Sequence, residues 1–180
     1  MDIDPADHGF GLFGADFGYP GGGLCLSVFL AVERDGELLT GRMDEERAQR
    51  WTEAWAPNLA YYEGERRARL FDGWRFPATY LRVGEEPQTA AERVWRDQLG
   101  FEVEPRLGSM EVSSSSQPSR RTPDHEHWDV VFAYAAEGPP IQRVPSHWDA
   151  FGYRPPSELA PETSVMLHGQ MLDELASLAE

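Results

Sequence analysis

The apolar positions of the chain fall into a few well-separated runs. Leu24 to Glu33 (LCLSVFLAVE) is an apolar, strand-forming stretch and predicts a buried strand. Arg34-Asp35-Gly36 follows as a turn, with Asp-Gly as its signal, and Glu37 to Arg42 predicts a second strand folding back as a hairpin. Trp74, Arg75 and Phe76 read as a further strand leading into Pro77, and Gly84-Glu85 opens a turn. From Pro87 to Leu99 the pattern changes to helical spacing, with Ala91, Val94, Trp95 and Leu99 on one face. Pro87 suits a first helical position, where its missing N–H would be unpaired anyway. Gly100 suits the left-handed position just past the helix end. Glu92, Arg93, Arg96 and Asp97 lie off the apolar stripe, and Arg93 and Asp97, four apart, are spaced to pair.

Beyond this helix, Glu102 to Val112 predicts a strand with a turn at Leu107-Gly108, and Ser113 to Asp124 a polar, mobile loop. Glu126 to Ala136 (EHWDVVFAYAA) is a strong strand, and Val165 to Leu178 an amphipathic closing helix. Residues 43–72 form a longer connection. Ala48, Trp51 and Trp55 recur there at helical intervals, and Arg66, Arg67 and Arg69 make the one dense basic cluster. Residues 1–23 are rich in Gly and Phe, which disfavours helix. They read as an N-terminal arm before a single domain at 24–180. The arm is either a mobile tail or a contact to the domain or to a second subunit, so a homodimer is within its reach.

Composition narrows the function. The net charge of −15 argues against general affinity for nucleic acid or anionic membranes. Every basic residue is arginine, whose fork suits local phosphate binding even in an acidic protein. No apolar run is long enough to span a bilayer, and the acidic N-terminus lacks the layout of a signal peptide. The single cysteine, Cys25, excludes an intrachain disulfide and fits a reducing cytoplasm. Sitting in an apolar run, it reads as buried and inert.

The stretch from Trp74 to Phe101 resembles the Nudix hydrolase signature, Gly-x5-Glu-x7-Arg-Glu-U-x-Glu-Glu-x-Gly-U, where U is a bulky apolar residue. Glu85 falls on the first Glu, Arg93 on the Arg, Trp95 on the bulky position, and Gly100-Phe101 on the end. Trp74-Arg75-Phe76-Pro77 is similar to the family's approach to its two glycines, whose places are taken by Ala78 and Thr79. The family's three helix glutamates after the Arg are here Val94, Asp97 and Gln98.

The resemblance implies an α/β fold: an α/β/α sandwich around a mixed β-sheet. It also implies hydrolysis of a nucleoside diphosphate-linked or related phosphorylated small molecule, with Mg2+ or Mn2+ as cofactor. Asp97 would be the surviving metal ligand, helped by Glu85 or Glu92. Arg42, after the second strand, stands where the family often meets substrate phosphate. Arg67, Trp74 and Arg75 complete the expected substrate contacts. His127, in the His125-Glu126-His127 cluster, is a candidate base, because histidine takes a proton near neutral pH. GDP-mannose mannosyl hydrolases, which also lack part of the glutamate set, resemble the chain in keeping the Arg and the final Leu-Gly, and they use a histidine base. Two metal-type carboxylates are gone, so a binding module for a nucleotide or protein partner, without turnover, stands as the alternative.

Overall fold

The computed structural model describes residues 22–42, 73–119, 122–146 and 148–159. Most of the arm, the helix expected near Trp51, the Arg66–Arg69 cluster with Arg67, and the closing helix lie outside the described residues. The chain divides into two units: residues 27–113 with 131–180, and residues 1–26 with 114–130.

The described strands form a six-stranded sheet in the order β4-β5-β1-β2-β6, with β3 pairing to β1. The strands are β1 Leu24–Arg34, β2 Glu37–Arg42, β3 Ala78–Tyr80, β4 Leu107–Pro118, β5 Glu126–Glu137 and β6 Ala150–Arg154. β1 is central, and successive side chains of a strand point to opposite faces, so both of its faces are buried. Val28, Leu30 and Val32 pack with Leu39, Ala90, Ala91, Val94, Trp95 and Leu99. Phe29 and Ala31 pack on the other side with Leu38, Phe76, Val131, Ala133 and Leu159. This is why the run is continuously apolar and does not alternate.

The hairpin turn is as expected. Asp35 and Gly36 both take positive φ (54° and 82°), the conformation of a two-residue loop whose twist matches the strands. β2 then pairs antiparallel with β6, from Leu38 opposite Arg154 to Arg42 opposite Ala150. β3 pairs antiparallel with β1, Val28 opposite Thr79. Gly138 N–H, just past β5, donates to Glu33 O at 2.8 Å beside the end of β1.

Helix α1 (Pro87–Arg93) begins where proline and the apolar stripe place it. The straight helix expected to Leu99 is not what forms: Val94–Gln98 is a π-helical turn. Leu99 N–H bonds Val94 O, five residues back, at 3.2 Å. The cause is visible in the buried positions, which recur in pairs: Ala90 and Ala91, Val94 and Trp95, Gln98 and Leu99. A repeat of four drifts off one face of a helix with 3.6 residues per turn, and the wider turn keeps it against the sheet. Gly100 (φ 67°) ends the helix, as its position suggested.

Two further segments differ from the sequence reading. β4 starts at Leu107 and runs on through the serines to Pro118, where a loop was expected, because its backbone pairs with β5 as the sheet edge and needs no apolar side chains. β6 was not anticipated: its strand character comes from pairing with β2 rather than from composition. No helix among the described residues is long and apolar enough to cross a membrane.

Candidate functional site

Arg93 closes the last turn of α1 and reaches back to the loop before the helix. Its Nε and Nη2 donate to the two Glu85 carboxylate oxygens at 2.8 Å each. Nη1 donates to Thr79 Oγ1 at 3.0 Å and Nη2 to Tyr80 O at 3.1 Å. The planar fork thus ties the end of β3, the loop and the helix together. Glu85 also accepts the Arg82 N–H at 2.9 Å. The Arg93 hydrogen bonds hold the Glu85 carboxyl at about 2, well below its usual range, against the opposing effect of burial. The same pair raises the Arg93 guanidinium further. Arg93 therefore spends its hydrogen bonds on Glu85, Thr79 and Tyr80, and Asp97 stands exposed. To ligate a metal, Glu85 would have to give up Arg93.

The next positions of the signature have been taken into the fold. Val94 has no exposed surface and belongs to the core beside Trp95. Gln98 is 5% exposed. Its amide Nε2 donates to Ala78 O at 2.6 Å, and its own backbone carbonyl accepts Trp148 Nε1–H at 3.2 Å. The Trp148 ring lies over Gly41, in the space a side chain there would fill. Two carboxylates remain along this helix. Glu92 is half-buried and accepts Gln88 Nε2 at 3.1 Å. Asp97 lies in the π-helical turn, where each residue advances by less than the 100° of an α-helix, so it falls closer to the Glu92 direction than straight counting implies. Burial, then the charges of Glu86 and Glu92, push the Tyr134 phenol up.

Of the expected substrate contacts, Arg42, Trp74 and Arg75 come together at the end of β2. Gly41 and Arg75 exchange both backbone hydrogen bonds, at 3.0 and 2.9 Å. Arg42 lies 5.6 Å from the Trp74 ring centroid and pairs with Asp149 at 3.0 Å. Arg154 of β6, which no motif singles out, sits 3.4 Å over the same ring. In the register of β2 with β6 it stands opposite Leu38, and Ala150 is the residue opposite Arg42.

The smaller unit holds His127. Its Nδ1 lies 3.0 Å from Gly22 O and its Nε2 3.3 Å from Asp129 Oδ1. Cys25 is half-buried in this unit, not in the core, because the buried part of β1 begins only at Ser27.

The comparisons agree with this architecture. The family model for the NUDIX domain matches residues 62–175. A NUDIX hydrolase from Nitrosomonas europaea has a similar structure, with 12% identity over 85% of this chain and 88% of that one, at a TM-score of 0.54. The E. coli ORF135 protein is similar with 16% identity over 86% and 90%, at 0.53. So is the E. coli dihydroneopterin triphosphate pyrophosphohydrolase, with 14% identity over 88% of this chain and 97% of that one, at 0.50. Among curated proteins no sequence matches the chain. The loop–helix frame closed by Arg93 and Glu85 is thus a Nudix frame, and the chain belongs to the Nudix family. Members of this family act on small nucleotide-type substrates and generally use divalent metal ions.

Proposed function

We infer that the chain is a divergent Nudix hydrolase acting on a nucleoside diphosphate-linked or related phosphorylated substrate through a reduced metal site. The observation that carries this reading is the intact Arg93–Glu85 frame with two carboxylates, Glu92 and Asp97, left on the helix it positions. Val94 supplies no donor atom, and the Gln98 amide is turned to Ala78. Among the described residues no three ligand groups converge on this helix. Two carboxylates fit Mg2+ or Mn2+ arriving with substrate phosphates, which is how magnesium is commonly held. Asp97 and Glu92 would hold it. When bound, the metal neutralises phosphate charge and activates water. Arg42 would take a phosphate oxygen on leaving Asp149, and Arg75, buried as it stands, on turning outward, with Trp74 against the substrate's organic part and Arg67 as the expected contact from the long connection. Glu92 takes the proton from water.

A second reading, binding without turnover, is favoured by one observation: Val94 and Gln98 serve packing and a backbone hydrogen bond in place of metal ligation. A hydrolysis panel separates the two. It contains nucleoside diphosphate sugars, dinucleoside polyphosphates, ADP-ribose, nucleoside triphosphates and dihydroneopterin triphosphate, each with Mg2+, Mn2+ or chelator. Metal-dependent turnover that Asp97→Ala removes supports the hydrolase. A folded protein that turns over none, yet gains melting temperature with one of these compounds, supports the binder.

A further inference from the structure

With Glu92 as the base of the proposed reaction, the smaller unit carries a polar cluster that this function leaves unused. His127 and Asp129 are two apart on β5 and share a face of the strand. Their facing atoms, Nε2 and Oδ1, are 3.3 Å apart. Gly22 O can only accept, so the ring nitrogen 3.0 Å from it, Nδ1, carries a proton. In the neutral ring Nε2 then presents a lone pair to a carboxylate oxygen. Two acceptors face each other, and a cation belongs between them. A proton joins two such atoms; a metal ion gathers more. A third ligand type is present: the ligand atoms of Cys25, His127 and Asp129 all lie within 4.8 Å of one another.

We propose that Cys25, His127 and Asp129 bind Zn2+. Nitrogen and oxygen ligands at about 2.0–2.2 Å from a tetrahedral centre stand roughly 3.3–3.5 Å apart, which is the separation of Nε2 and Oδ1. The Cys25 sulfur lies within 4.8 Å of both other ligand atoms and closes the site by moving inward. The groups behind the ligands are already in place. The far ring nitrogen donates to a backbone carbonyl, and Asp129 Oδ2 accepts Gln117 Nε2 at 2.9 Å. Ligating histidines and carboxylates are held in this way by their outer partners, which fix the tautomer and the ring direction. Thiolate, imidazole and carboxylate together suit zinc better than magnesium or calcium, which prefer oxygen alone. Binding releases the Cys25 thiol proton to solvent, and the Nε2 proton where the ring carries one. Three protein ligands leave a fourth position for water.

The test uses the full chain, stripped with chelator under reductant, and Co2+ as a spectroscopic substitute for zinc. The expected result is a thiolate-to-cobalt charge-transfer band that saturates at one equivalent and is displaced by Zn2+. Cys25→Ser abolishes the band. His127→Ala and Asp129→Asn weaken cobalt binding at least 10-fold, and Gln117→Ala, which removes no ligand, weakens it by about 10-fold. Absence of the band in the unsubstituted protein overturns the proposal, and so needs no variant to fold. A band unchanged in His127→Ala and Asp129→Asn also overturns it, since the thiol then binds cobalt alone and the ring and carboxylate share only a proton. No substrate enters the assay, so its outcome is independent of the hydrolase reading.

Discussion

Gln98 and Ala78 are joined by a 2.6 Å hydrogen bond from the side-chain amide to the backbone carbonyl. The bond runs from the signature helix to β3, and it occupies a position where the family places a metal-binding carboxylate. An amide can donate there and a carboxylate cannot, so the residue type follows from the contact.

Restoring the family's glutamates should therefore weaken the fold. Gln98→Glu sets a carboxylate against the Ala78 carbonyl in a buried place and should cost about 1–3 kcal/mol. Adding Val94→Glu buries a second charge without a partner, and the double variant should lose at least about 3 kcal/mol. Urea unfolding near neutral pH measures both. A double variant as stable as the parent would show that this helix face opens to solvent.

Glu85 gives a pH signature. Its carboxyl is held near 2 in the fold against 4.5 as the reference, so the folded state binds the proton less readily than the unfolded one. Its contribution is fully present above about 4.5 and is lost as pH falls through about 2. Solvent screening of the pair trims the amount to about 1–2 kcal/mol. Glu85→Gln should lower stability at pH 6 by that amount and flatten its decline in acid, read from denaturation midpoints across pH 2–6. A parallel decline in both proteins would remove Glu85 as its source.

Arg93→Lys keeps the charge but loses the fork. A single ammonium cannot serve both Glu85 oxygens, Thr79 Oγ1 and Tyr80 O together. We expect a loss of about 2–3 kcal/mol and, in parallel, faster hydrogen exchange at Glu85 N–H, which bonds to Arg82 O in this loop. Unchanged exchange with lowered stability would place the effect elsewhere in the unit.

On activity, Asp97→Ala should cut metal-dependent turnover at least 100-fold, while its exposed position keeps stability within about 0.5 kcal/mol. His127→Ala should leave turnover within about twofold, since Glu92 takes the proton in the proposed reaction, and a loss of about 100-fold would make the ring the base. Full activity in either variant takes that residue out of the reaction.

The parts of the fold that were legible in the sequence are those where one local rule decides. The apolar run of β1, the Asp35-Gly36 turn, Pro87 at the helix start and Gly100 at its end all behave as their residue types require. The site was legible through the spacing of Glu85 and Arg93, but their partnership was not, because helical counting offered Asp97 as a nearer mate. Gln98 falls on the apolar stripe by helical counting, four residues from Val94, but nothing in its own segment announces the Ala78 carbonyl that its amide bonds. The serines of β4 and the whole of β6 are strands by virtue of their neighbours, which no single segment reveals.

The buried state of Val94 and Gln98 also bears on redesign. Each step toward the family's carboxylates at these positions lowers stability, and neither step alone rebuilds a three-carboxylate site. The core thus acts as a lock on this helix face, and new ligands are easier to add at exposed positions beside Asp97 than to install at these two.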